Sequence, residues 1–90
     1  MIESFADKGL RELFETGRSG RVPSELRKRI VGRLDALHAA QTLGDLDRPG
    51  FNCHPLKGTN RHAISVNGPW RITFQWENGR ALRVDLEQYH

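Results

Sequence analysis

The apolar residues repeat at helical spacing as far as Leu37 and at a spacing of two after Pro49-Gly50, all within 90 residues. This pattern predicts an α+β fold: an N-terminal strand, two helices, then a twisted antiparallel sheet of three to four strands. A chain this short, cut in two, would leave pieces unable to bury a core, so residues 1–90 are expected to form a single domain.

Met1 to Phe5 is a short apolar start. Asp7 is placed to cap a helix carrying Leu10, Leu13 and Phe14 at helical spacing, and Gly17 and Gly20 close it. Pro23 and Ser24 open a longer helix whose stripe is Leu26, Ile30, Leu34 and Leu37, with Gly44 as its expected stop. Arg27, Lys28, Arg29 and Arg33 lie mostly off that stripe, as a solvated helix face or one that tracks a phosphate backbone. After the change of period come three antiparallel strands: Ile64 and Val66; Trp70, Ile72, Phe74 and Trp76; Leu82, Val84 and Leu86.

Glu77-Asn78-Gly79 sets the register of the last two strands. A two-residue Asn-Gly loop would oppose Phe74 to Arg83 and mix the two faces. A three-residue loop with Gly79 left-handed pairs Trp76 with Arg80, Phe74 with Leu82 and Ile72 with Val84, and is the expected register. It opposes Arg71 to Asp85 on the outer face, shared with Thr73, Arg83, Glu87 and Tyr89. That polar face, away from the helices, is where a ligand would sit.

The 14 Lys and Arg against 11 Asp and Glu give a net charge of +3, a mild excess that favours anionic partners. One cysteine, Cys53, cannot form an internal disulfide. The start lacks the pattern of a signal peptide and no apolar stretch approaches membrane-spanning length, so a cytoplasmic protein without a membrane partner is expected. There is no glycine-rich phosphate loop ahead of a helix. Cys53 and His54 are adjacent rather than spaced for chelation, and His38, His62 and His90 fall on different elements, so no metal site is expected.

The chemistry-bearing residues gather in the second half. Arg71 offers a planar fork suited to a phosphate or a phosphorane transition state; the alternative is a cross-strand pair with Asp85. Lys57 can neutralise a phosphate as a point charge or simply be solvated. His54 can move a proton near neutral pH or serve as a half-buried strand residue. Tyr89 can bond a phosphate, stack a base or pack on its own sheet, and the imidazole of His90 ends the chain.

The order strand, two helices and antiparallel sheet, with His54-Pro55-Leu56-Lys57-Gly58, then Asn67-x-x-Trp70-Arg71-Ile72-Thr73-Phe74 and a terminal Tyr89-His90, resembles the HigB subgroup of RelE-like toxins, the plasmid maintenance system killer protein family. The likeness covers nearly the whole chain. It includes Met1-Ile2-x-Ser4-Phe5-Ala6-Asp7-Lys8, Val22-Pro23 and the Glu77-Asn78-Gly79 turn.

The resemblance implies a RelE-like microbial RNase fold and a type II toxin that cleaves messenger RNA in the ribosomal A site, inhibiting translation. The partner it implies is a cognate helix-turn-helix, HigA-like antitoxin, with operator DNA reached only indirectly through that antitoxin. The implied reaction uses no cofactor or metal: a ribose 2′-hydroxyl attacks the adjacent phosphate. Carried over by position, His54 or His90 would accept or donate protons, Lys57 and Arg71 would stabilise charge, and Tyr89 would position or stack. Arg27, Lys28 and Arg83 are the further residues expected to bind RNA. One departure is Gln88, where many members carry Asp: Gln is neutral and cannot act as a base, so slower catalysis is expected. The competing reading is a weakly active or inactive module that keeps the fold, the antitoxin surface and the RNA-facing sheet.

Overall fold

The structure, a computed structural model, describes residues 1–89. The carboxylate of Asp7 accepts the Leu10 N–H at 2.8 Å and starts helix α1 (Lys8–Thr16). Gly17 ends it at φ 78°, a left-handed conformation open to a residue without a Cβ, and returns its N–H to the Leu13 carbonyl. A 3₁₀ turn, Ser24–Leu26, leads into α2 (Arg27–Ala39). This helix ends short of the expected stop at Gly44. The carboxylate of Asp45 accepts the N–H groups of Gln41 and Thr42 at 2.9 and 3.1 Å, and with Thr42 it forms a capping box that starts a separate 3₁₀ turn, Leu43–Leu46. No described helix is long and apolar enough to cross a membrane.

The sheet has four antiparallel strands in sequence order, β1 (His54–Pro55), β2 (Arg61–Asn67), β3 (Trp70–Glu77) and β4 (Arg80–Gln88). The expected N-terminal strand is present as a segment running parallel to β4, bridging at Ile2–Ala81 and Phe5–Val84. Leu10, Leu13, Ile30, Leu34 and Leu37 from the helices and Ile64, Ile72, Phe74 and Val84 from the sheet are buried together, so one sheet face is the core and the other is open.

The basic run on α2 is not simply a solvated face. Arg27 Nε donates to the Val22 carbonyl at 3.0 Å, Arg29 to the Val66 carbonyl at 3.1 Å, and Arg33 to those of Ser65 and Gly50 at 2.6 and 3.1 Å. The Arg33 guanidinium also lies 4.7 Å from the centre of the Phe51 ring. Three arginines thus satisfy backbone carbonyls outside the sheet ladder. Lys28 is exposed.

The expected register of β3 and β4 is corrected. Glu77 opposes Arg80 across a two-residue loop, with Asn78 at φ 50° and Gly79 at φ 76°. Trp76 opposes Ala81 and Gln75 opposes Leu82; the register then shifts, so that Thr73 opposes Asp85, Ile72 opposes Leu86 and Arg71 opposes Glu87. The shift falls at Arg83, whose φ of 51° marks a bulge. Its N–H donates to the Ser4 hydroxyl at 2.9 Å, and the Val84 N–H donates to the Ser4 carbonyl at 3.0 Å. The mixing of faces that a two-residue loop entails is cancelled by this extra residue. Ala81 and Val84 are both buried in consequence, and Leu82, expected in the core, pairs with Gln75 and is only half-buried.

On the open face, burial above all pushes the Asp85 carboxyl upward; the carboxylates of Glu87 and Asp7 add to this, against the Leu86 N–H and the Arg61 charge. The folded chain therefore holds this proton more tightly than the unfolded chain does. The resulting stabilisation is complete below the unfolded pKa and is lost as pH rises through the folded one.

Two outcomes follow in stability measurements. Arg83 is exposed, so its cost lies in the backbone: Arg83→Val is expected to lose about 1–2 kcal/mol in urea melts and Arg83→Gly to be neutral or stabilising. Equal effects would reject the left-handed bulge as the determinant. Asp85→Asn is expected to raise Tm at pH 7 and to match the parent at about pH 3, below the usual carboxylate pKa. A parent-like Tm at pH 7 would refute the penalty on the charged form.

Candidate active site

Pairing places the site residues on the open face. His54 opposes Ala63, Ala63 opposes Thr73 and Ser65 opposes Arg71, so His54, Ser65, Thr73 and Arg71 all point away from the helices. A cleft of about 330 Å³ opens there, lined by Asn52, His54, Ser65, Gly68, Pro69, Trp70, Arg71 and Tyr89. Its far wall is tied down where the Tyr89 N–H donates to the Pro69 carbonyl at 2.6 Å, joining the chain end to the β2–β3 turn.

Arg71 is the charged centre of this cleft. The alternative reading, a pair with Asp85, is not realised: Arg71 faces Glu87, and the one ion pair among the described residues joins Arg80 to Glu3. The guanidinium carbon instead lies 5.0 Å from the centre of the Tyr89 ring, and its Nε is buried without a hydrogen-bond partner. The residue is only half-buried and lines the cleft, so its terminal Nη groups, rather than the buried Nε, are the donors an oxyanion could meet.

His54 is oriented by its own loop. Its Nδ1 lies 2.7 Å from the carbonyl oxygen of Asn52, a residue at φ 45°. A carbonyl only accepts, so Nδ1 carries the hydrogen and Nε2 of the neutral ring is left as a proton acceptor.

The structure therefore brings together His54, Arg71 and Tyr89. Lys57 is exposed in the β1–β2 turn, outside the lining of the cleft. Arg83 lines a neighbouring depression that also contains Arg61, Gln75, Asp85 and Glu87 and shares Arg71 with the cleft. Arg27 and Lys28 line neither. His90 lies outside the described residues.

Sequence reasoning missed Arg61, Ser65 and Asn52. The first two had a signal, because a period of two counted back from Ile64 sets Arg61, Ala63 and Ser65 on one face. Asn52 had none, since its contribution depends on a left-handed backbone conformation.

Comparison with known proteins places the chain in a family. A family described as the HigB-like toxin, a RelE-like toxin of type II toxin-antitoxin systems, matches residues 3–90. The chain is 45% identical over 92 aligned positions to Endoribonuclease HigB of Proteus vulgaris, covering 100% of both chains. It is 33% identical to Toxin HigB-1 of Vibrio cholerae, over 99% of this chain and 98% of that one. An uncharacterized protein of Haemophilus influenzae is 28% identical over 97% of this chain and 90% of its own. With a match along almost its entire length and relatives aligned end to end, the chain belongs to the HigB-like family of RelE-like toxins of type II toxin-antitoxin systems.

Proposed function

We propose that this endoribonuclease toxin cuts messenger RNA in the ribosomal A site through the cleft between His54, Arg71 and Tyr89. The observation that carries the reading is the Arg71 guanidinium, held against Tyr89 in the lining of one cleft with a histidine of fixed tautomer. In the reaction the 2′-oxygen forms a bond to the adjacent phosphorus while the bond from phosphorus to the 5′-oxygen breaks. The departing 5′-oxygen takes a proton from water or, in this reading, from His90, and the products are a 2′,3′-cyclic phosphate and a free 5′-hydroxyl.

His54 Nε2 takes the 2′-hydroxyl proton, because its Nδ1 is committed to Asn52. Arg71 stabilises the charge that builds on the phosphorane oxygens with two donors at once, and Tyr89 stacks or positions a base. Lys57, exposed on its turn, adds positive charge toward the backbone, and Arg83 extends the RNA contact into the neighbouring depression. Arg27 and Lys28, on the helix, would touch RNA or ribosome only beyond the cleft. His90, the other proton carrier in this reading, lies outside the described residues.

As a type II toxin the protein has an antitoxin partner, which we take to be a helix-turn-helix protein of the HigA kind, acting in the cytoplasm. The weaker-enzyme reading rests on Gln88, which is exposed and opposes Trp70 at the end of β4, where it supplies an amide in place of a carboxylate.

Primer extension on messages from cells briefly expressing the chain tests the assignment. Arg71→Ala is expected to reduce cleavage inside translated codons on the order of a hundredfold, and His54→Ala by a similar factor, with melting curves preserved. Undiminished cuts in both variants would remove the cleft from the mechanism. Gln88→Asp is expected to raise cleavage severalfold; an unchanged rate would dismiss residue 88 as a handicap.

A further inference from the structure

Arg71 and Glu87 are directly opposed on β3 and β4, on the same face, where opposed Cβ atoms lie about 5 Å apart. A guanidinium and a carboxylate so placed would ordinarily pair, yet these do not. The Glu87 carboxylate instead accepts the hydroxyl hydrogen of Thr73. Thr73 is fully buried, so its hydroxyl cannot turn to water for partners, and its oxygen accepts a second bond from Arg61 Nη2 at 2.9 Å. Arg61 is held in turn by the carbonyl of Arg83, the bulge residue, also at 2.9 Å. A chain of bonds therefore runs from the bulge through Arg61 and Thr73 to Glu87 and stops short of Arg71.

We propose that Thr73 and Arg61 form a clamp that withholds Glu87 from Arg71, and that this keeps the guanidinium free to take up the scissile phosphate. The inference rests on the reading of Arg71 as the phosphate-binding group. A guanidinium already paired with a fixed carboxylate would have to surrender that pair to bind RNA, and the phosphate would meet a partly neutralised site. Thr73 is thus a positioning residue that acts through Glu87. Its methyl group fills buried space, while its hydroxyl occupies the carboxylate.

The test is the rate of message cleavage in a translating extract for Thr73→Val, Thr73→Ser, Glu87→Gln and the double variant Thr73→Val with Glu87→Gln, each checked by thermal melting. Thr73→Val is expected to slow cleavage about fivefold, by releasing Glu87 onto Arg71. Thr73→Ser, which keeps the hydroxyl, is expected to cleave at the parent rate; Glu87→Gln, which removes a negative charge from the face that meets RNA, is expected to cleave no slower than the parent, and the double variant to recover at least the parent rate. The recovery is the deciding readout, because a purely structural role for Thr73 would not be relieved by neutralising Glu87. A slow double variant, a Thr73→Val protein at full rate, or a slow Glu87→Gln protein would each overturn the clamp. Full cleavage by Arg71→Ala, measured alongside, would instead overturn the reading of Arg71 on which the clamp rests.

Discussion

The left-handed backbone at Arg83 governs everything that lies beyond it on β4. In a strand, side chains alternate between faces, so a slip of one residue exchanges the buried set for the exposed one. The Asn78-Gly79 loop by itself starts β4 in a register that would turn Val84 outward, and the bulge inserts the one residue that restores it. The N–H groups of Arg83 and Val84 are both met by Ser4, so the N-terminal segment stabilises the correction while covering the edge of the sheet. Beyond that point Glu87 comes opposite Arg71, and the chain end reaches the Pro69 carbonyl with Tyr89 in place over the guanidinium.

Half of the fold was legible because helical and strand periods are local properties. The Asp7 cap, the Gly17 stop and the apolar stripe on α2 each depend on residues within a turn or two of one another. The end of α2 was misread because Gly44 is a strong breaker by composition, whereas the actual break comes from Asp45 bonding back to Gln41 and Thr42. The β3–β4 register was misread for a similar reason. A non-glycine residue with positive φ carries no compositional mark, so a uniform pairing that preserved the apolar face looked better than a tight loop followed by a bulge.

For the site, residue identity was more informative than register. His54, Arg71 and Tyr89 were identifiable by what their side chains can do, and the fold brings them to one cleft. What could not be read was which charges are free. The sequence leaves Arg71 open to a pair with Asp85, but its neighbour across the strands is Glu87, and Glu87 is engaged elsewhere. That arrangement depends on Arg61 and a buried threonine, neither of which stands out from spacing alone.

The arginines divide into two kinds, and the division explains why a net charge of +3 is a poor guide to where an anion would bind. Arg27, Arg29, Arg33 and Arg61 spend donors on backbone carbonyls, where the guanidinium works as a multivalent clip between elements that the sheet ladder does not join. Those donors are already engaged and would have to leave the protein to meet RNA. Among the described residues Arg71 donates to no such carbonyl; its buried Nε is unpaired, at a cost to the fold, and its side chain lines the cleft instead. Unmet polar atoms are not confined to the open face, since His62 Nδ1 is also buried without a partner on the side of Phe74; what sets the open face apart is a charged guanidinium lining a cleft that a ligand can enter.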